Sequence, residues 1–323
     1  MNWRPGIDNA TLRQRSKIYR TIRRFFDDRE VAEVSTPILG ACGVSDLHIQ
    51  SLSLFDEGHR WFLQSSPEYA MKRLLANGSG SIYQICPAFR AGESGARHNT
   101  EFSMLEWYRV GYSLSDLVTE VATLLQQTLD VAQVKTSKFK FTTYRELFIS
   151  RFDTNPHDAP IGKLRQLIAE ENLAADHIDT VDDGATFNEC LDLLFSSCIE
   201  PRLEEPTFVL EFPAEQAALA KTVTNDQNEL VASRFELYWQ GLELANGYDE
   251  LTDPVELRQR FEKNNSQRLA RGLIEMAPDE KLLSSMSELP DCAGVAVGLD
   301  RLVMHLCTKT TIDEVLTFSR QRL

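Results

Sequence analysis

No two cysteines in this chain are spaced as C-x-x-C; Cys42, Cys86, Cys190, Cys198, Cys292 and Cys307 all stand alone. That spacing argues against the common zinc and dithiol redox motifs and predicts reduced, buried thiols in a cytoplasmic protein. No apolar run approaches the roughly 20 residues needed to cross a bilayer, so no membrane role is expected. Met1 to Asp8 also lacks the apolar stretch of a secretory signal. Positive charge is scarce. Lys plus Arg number 34 against 48 Asp plus Glu, a net charge of −14. Proteins that grip nucleic acid usually gather Lys and Arg on one face, because phosphate contacts dominate affinity. Arg13 to Arg24 is one candidate patch, but a solvated helix face explains it more simply, and nothing in the composition demands a tRNA. Repeats and low-complexity tracts are absent too.

What is present is ordinary globular material. A chain of 323 residues, 42% hydrophobic and 25% charged, can bury a large core. Apolar residues at Leu12, Ile18, Tyr19, Ile22, Phe25 and Phe26 follow a helical period, with Thr11 or Asn9 as its cap. An extended segment over Val31 to Val34 leads to Pro37, and Arg60 to Gln64 reads as a strand. Ser66-Pro67-Glu68 opens a helix through Leu75, with Pro67 at its first position. Ser81 to Phe89 and Glu101 to Val110 read as strands joined by a polar loop, and Ser113 caps a helix over Leu114 to Leu129. Short amphipathic helices at Ile161 to Glu170 and Phe187 to Ile199 mark a helical insertion at about 135–205. Strands resume at Thr207 to Phe212, and Phe235 to Trp239 with Leu242 to Tyr248 form a hairpin around Gln240-Gly241. A helix over Pro254 to Arg271, a strand over Gly294 to Gly298 and a helix over Leu299 to Cys307 close the chain. The pattern predicts an α+β fold with an antiparallel β-sheet flanked by helices, and one catalytic domain over residues 1–323.

Three constellations carry chemistry. In the first, residues 89–102, a glycine-bearing loop with Arg90 and Arg97 feeds a strand on which Glu106 and Tyr108 share a face. A guanidinium beside such a loop suits a phosphate; a surface hairpin with scattered charges is the plain alternative. In the second, a two-residue turn sets Tyr238 opposite Glu243, so Glu236 shares a face with Glu243. Two such carboxylates repel unless a cation lies between them, and Mg²⁺ fits as well as a solvated acidic ladder. Asn246, Tyr248 and Glu250 alternate onto one side beyond it. In the third, Val295 and Val297 point into a core while Ala296 and Gly298 leave a smooth face for a flat ligand. Arg301 then stands in the first helical turn, where a cation is useful if an anion binds there, though a simple strand-to-helix turn accounts for the segment equally.

Taken together, these segments resemble the signature motifs of the class II aminoacyl-tRNA synthetases. The helix and strand ending at Pro37 resemble the dimer-forming motif 1, Phe89 to Tyr108 motif 2, and Gly294 to Met304 motif 3. Ser66-Pro67-Glu68-Tyr69 with Lys72-Arg73-Leu74, Arg97-His98-Asn99 and the run Glu243 to Glu250 are most similar to lysyl-tRNA synthetases. Those enzymes carry an OB-fold anticodon-binding domain before motif 1, whereas motif 1 here begins almost at Met1. The chain therefore looks like the stand-alone paralogues of that enzyme, which attach β-lysine to the ε-amino group of a lysine on elongation factor P.

The resemblance implies a set of roles. Arg90 would hold the α-phosphate and Arg301 the γ-phosphate of ATP, as the catalytic pair. Asn99 and Gly298 would line the adenosine site, with Ala91, Gly92, Glu93, Glu243 and Leu244 completing the nucleotide contacts. Glu236 and Glu243 would hold Mg²⁺. Ser66, Pro67, Glu68, Glu106, Tyr108, Asn246, Tyr248, Glu250 and Ala296 would form the amino-acid pocket, whose three carboxylates suit a substrate with two ammonium groups. It further implies a homodimer, elongation factor P as partner, no tRNA, and activation of (R)-β-lysine above lysine. The chain departs from the family in two places. The family's Phe-Arg-Asn-Glu run reads Phe89-Arg90-Ala91-Gly92, so an adenine contact is lost or moves to Glu93. Ala296 replaces the glycine of lysyl-tRNA synthetases, which should reshape the pocket near the amino group.

Other readings stay in view: a truncated lysyl-tRNA synthetase, an asparagine synthetase of the same class, or a non-catalytic regulatory paralogue. Glu68 and Glu250 would repel an aspartate substrate, and a dead paralogue should have lost Arg90, Arg301, Glu236 or Glu243.

Overall fold

Asp8 stands in extended conformation and accepts a hydrogen bond from the Thr11 amide at 2.7 Å, which starts helix α1 (Asn9–Asp27). Asn9 and Thr11, the caps expected from sequence, lie inside the helix. Asp8 takes the role because its second oxygen is held by the Lys309 ammonium at 3.0 Å. The computed structural model describes residues 3–136, 138–173 and 186–323. Part of the expected helical insertion, 174–185, lies outside the described residues.

After α1 come β1 (Ala32–Glu33), β2 (Leu39–Gly40), β3 (Ser53–Asp56), β4 (His59–Leu63) and α2 (Glu68–Ala76). The long strands β5 (Ile82–Phe89) and β6 (Glu101–Val110) precede α3 (Leu114–Ala132). β7 (Lys140–Thr143), α4 (Tyr144–Phe152), α5 (Ile161–Glu170) and α6 (Phe187–Leu194) follow. A π-helical turn at Phe195–Ile199 ends the helical stretch expected from sequence as one piece. Then come β8 (Thr207–Pro213), β9 (Thr222–Thr224), β10 (Leu230–Tyr238) and β11 (Glu243–Asp249). The last major elements are α7 (Pro254–Ala270), α8 (Glu280–Ser285), β12 (Cys292–Gly298) and α9 (Leu299–Leu306). Among the described residues no helix is long and apolar enough to cross a membrane.

The chain forms two compact units, one of Met1–Lys135 with Glu250–Leu323, the other of Thr136–Asp249. In the first unit the strands lie in the order β1-β5-β6-β12, and β2-β4-β3 make a smaller sheet. The β5–β6 and β6–β12 pairs are antiparallel, while the short β1 runs parallel to β5. Helix α1 buries Ile18, Ile22, Phe25 and Phe26. Phe26 stacks on Tyr83 of β5 at 4.3 Å and meets Trp107 of β6 edge-on at 5.3 Å. Helix α3 is started by a reciprocal capping box between Ser113 and Asp116 and packs beside α1.

In the second unit the order is β11-β10-β8-β7, with β9 on β10 and only β7–β8 parallel among the described pairs. Tyr144 stacks on Phe148 and on Phe195, both at 4.9 Å, at the centre of its core. The hairpin turns on two residues, as expected: Gln240 and Gly241 have φ of 50° and 62°, which demand a turn tolerant of left-handed backbone. Tyr238 faces Glu243, also as expected, but the register shifts between Leu237 and Tyr238. Leu244 is therefore the extra residue of a bulge that periodicity could not reveal. These elements make the α+β class of the fold plain.

Phe26 wedges α1 against the two strands that carry the site. Phe26→Ala should cost about 3–5 kcal/mol in urea-induced unfolding; a loss under about 1 kcal/mol would mean that the helix is not held this way.

Candidate active site

The first unit gathers an acidic pocket from three pieces of chain. The alternation of β6 places Glu106 and Tyr108 on one face, and the Tyr108 hydroxyl donates to Glu106 Oε1 at 2.7 Å. Ser66 Oγ donates to Glu106 Oε2 at 2.7 Å and accepts from the Glu68 amide at 3.0 Å. Pro67 holds the entry to α2 and Glu68 is its first residue, one turn before Lys72. Lys72 Nζ lies 2.7 Å from Glu68 Oε1 and 2.6 Å from Glu250 Oε2. Lys72, Glu106 and Glu250 are each no more than 2% exposed.

β12 forms one wall. Gly294 pairs with Tyr108 and Ala296 with Glu106. A β-carbon on Gly294 would stand 2.4 Å from both Glu250 Oε1 and Tyr108 Cε1, so only glycine fits. Burial pushes Glu106 up to about 7; Glu68 adds to this, and the hydroxyls of Tyr108 and Ser66 oppose it. Burial also raises Glu250 above the usual carboxylate range, against the pull of Lys72. Burial works against the Lys72 charge as well, but Glu250 and Glu68 outweigh it and hold the ammonium charged. Sequence reasoning named the three carboxylates and gave Lys72 no role. The Glu68–Lys72 spacing of four in a helix was the available signal.

The phosphate-binding candidates lie in the same unit. The Arg90 and Ala91 amides bond to Thr100 O at 2.9 Å and Gln50 O at 2.7 Å, and Gly92 turns the loop at φ 81°. Thr100 Oγ1 donates to Glu93 O at 3.3 Å. The Arg90 guanidinium sits 5.1 Å over the Phe102 ring and 3.9 Å from Glu93, with Nε buried and lacking an acceptor. That unmet donor fits an incoming anion. Arg301 Nη2 lies 2.5 Å from His98 Nε2, and since a guanidinium only donates, that ring nitrogen is the acceptor. Burial, then Arg97 and Arg301, lowers His305 to about 4. Asp300 is buried, accepts from the Ser103 amide at 2.6 Å and pairs with Arg15 of α1 at 2.6 Å. Arg15 thus belongs to a motif 3 anchor, not to a solvated helix face. Gly298 precedes α9, and a β-carbon there would meet nothing closer than Arg301 Cδ at 3.6 Å. Asn99, expected to line an adenosine site, donates to Glu101 O at 2.6 Å and accepts from the Arg320 amide at 3.1 Å.

The second unit holds the proposed metal carboxylates. Glu236 accepts from Arg234 and Asn246 on Oε1, the latter at 3.0 Å, and from Tyr238 on Oε2. Arg234 also lies 4.6 Å over the Phe212 ring and 5.3 Å over that of Tyr248. A carboxylate has about four lone-pair sites, so three donors leave Glu236 one position, on Oε2, for a cation. Burial foremost, opposed by Arg234 and reinforced by Glu243, raises Glu236 to about 7. The residues fit Mg²⁺ held through few protein ligands. Arg234, which the sequence did not single out, already supplies part of the positive charge that this hairpin requires.

Folding favours protonated Glu106, so its contribution to stability is present at low pH and lost as pH rises from 4.5 through about 7. Relative to wild type, Glu106→Gln should gain roughly 3 kcal/mol between pH 4.5 and pH 8. Urea titrations at both pH values check this, and parallel behaviour of the two proteins would contradict it.

The family model described as tRNA synthetases class II (D, K and N) matches residues 3–322. A protein of Edwardsiella ictaluri (strain 93-146), named elongation factor P (R)-β-lysine ligase, is 43% identical over 99% of this chain and 98% of its own. A protein of the same name from Salmonella typhi is 42% identical over 99% and 98%. This chain belongs to the class II tRNA synthetase family (D, K and N), alongside relatives named for ligation of (R)-β-lysine.

Proposed function

We propose that this protein uses ATP to activate (R)-β-lysine, and lysine less well, as the aminoacyl-adenylate. It then transfers the acyl group to the ε-amino group of a lysine on elongation factor P. The observation that carries the reading is the buried pocket of Glu68, Glu106 and Glu250 around Lys72. With all four ionised it holds two net negative charges, the complement of an amino acid with two ammonium groups. The names of the two relatives support the acceptor.

In the first step a carboxylate oxygen of the amino acid attacks the α-phosphorus, and the bond to the β-phosphate oxygen breaks, releasing pyrophosphate. Arg90, whose Nε lacks an acceptor, meets the α-phosphate, and Arg301, held beside His98, meets the γ-phosphate. Mg²⁺, when bound, supplies charge neutralisation for the leaving pyrophosphate, with Glu236 and Glu243 as its protein ligands. Gly298, Asn99 and the loop residues Ala91, Gly92 and Glu93 bound the nucleoside. Positioning and electrostatics account for the step, and no covalent enzyme nucleophile is needed. In the second step the acceptor amine attacks the acyl carbon, forming an amide and releasing AMP and a proton. Homodimerisation through the motif 1 region accords with Ile38 and Leu39, which leave 39% and 43% of their surface exposed just beyond Pro37.

Incubation with ATP, Mg²⁺, β-lysine and elongation factor P should raise the intact mass of elongation factor P by one β-lysyl group. Acylation of tRNA instead would favour a truncated synthetase, and absent pyrophosphate exchange a non-catalytic paralogue. Arg90→Ala or Arg301→Ala should lower that exchange about 10²–10³-fold. Ala296 faces Glu106 across the β6–β12 pair, so its methyl should select among amino positions. Ala296→Gly should shift the ratio of β-lysine to lysine activation towards lysine by about tenfold; an unmoved ratio would remove that role.

A further inference from the structure

We propose that Lys72 is a positioning and specificity-determining residue: a resident cation that holds Glu68 and Glu250 in place and sets the charge the pocket will accept. The inference rests on the amine-activating reading above and deepens it.

An ammonium has three N–H donors. One of them is donated to Glu68 Oε1 at 2.7 Å, and the ammonium forms an ion pair with Glu250 Oε2 at 2.6 Å. Each carboxylate therefore keeps one oxygen for a substrate ammonium. The Lys72 side chain is 2% exposed and that of Glu250 1%, while Glu68 retains 19%. The cation is thus structural in position, and Glu68 is the arm that reaches towards solvent. Glu250 can approach because Gly294 has no side chain in its path. Glu106 stands apart in chemistry, satisfied by the hydroxyls of Ser66 and Tyr108. Tyr69, Tyr108 and Cys86 border the cluster, each kept neutral by burial.

Without Lys72, the buried Glu106 and Glu250 beside the half-buried Glu68 could not all remain ionised, because neighbouring like charges share protons. A dicationic substrate would then have to displace a proton on binding. Lys72 pulls Glu250 back towards its ionised form against burial and pairs with Glu68 at 2.7 Å, so it lowers the proton affinity that a substrate ammonium would otherwise have to overcome.

The test measures KM for the diamino acid and for ATP by pyrophosphate exchange between pH 7 and pH 9, with thermal melts as the folding control. Lys72→Met should raise the diamino-acid KM about tenfold at pH 7 and leave the ATP KM unchanged. The ratio of variant to wild-type KM should fall as pH rises, by up to about tenfold per pH unit. Lys72→Arg keeps the charge and should keep the ratio flat. Ethylammonium added to Lys72→Ala should recover part of the lost affinity, whereas propane-sized neutral additives should not. Should Lys72→Met fail to fold, Lys72→Arg decides, since a sloping ratio there overturns the assignment. Wild-type protein that activates no diamino acid defeats the functional reading and this inference with it. Wild-type turnover alongside variant ratios that are flat with pH, with no effect of ethylammonium, defeats the inference alone.

Discussion

Carboxylates can be taken out of water only if positive charge or hydrogen-bond donors go with them, and both candidate sites in this protein are solutions to that constraint. Around Glu250 the solution is an ammonium on α2; around Glu236 it is a guanidinium on the same strand, two residues away. In each case the internal cation leaves some carboxylate capacity unused. That surplus is the capacity that the proposed function assigns to a substrate ammonium in the first unit and to Mg²⁺ in the second. Glu106 follows the milder rule, with two neutral hydroxyl donors and a proton affinity raised by burial.

The backbone around these charges is shaped by small residues and alternation. Gly294 removes a side chain where Glu250 and Tyr108 converge, and Gly92 turns the nucleotide loop through a left-handed conformation. The period of two along β6 brings Glu106 and Tyr108 to one side while Trp107, on the other, is buried against Phe26 of α1. The same short stretch of strand therefore carries chemistry on one face and stability on the other.

Much of this was legible in the residue order. Strand and helix spans such as Glu101 to Val110 and Ile161 to Glu170 followed from apolar periodicity, and the Gln240-Gly241 turn from its two-residue length. The motif carboxylates Glu106, Glu236 and Glu243 fall on β6, β10 and β11, the elements expected of them. Partnerships across long separations were not legible: Arg15 with Asp300, Lys72 with Glu250 and Asn99 with Arg320 join residues that no local pattern connects. The bulge at Leu244 was hidden because a strand with one extra residue has the same composition as one without.

The loop that follows Arg90 is not held by its own strands alone. The Ile312 amide bonds to Ala96 O at 2.7 Å, the Arg320 amide to Asn99, and the Arg320 guanidinium to Thr100 Oγ1 at 3.2 Å. Residues 312–320 therefore act as a splint on the loop that follows Arg90. Proteolytic clipping or a bulky fusion near Arg320 would loosen that loop, so under the proposed function it is nucleotide affinity that handling of this segment would change.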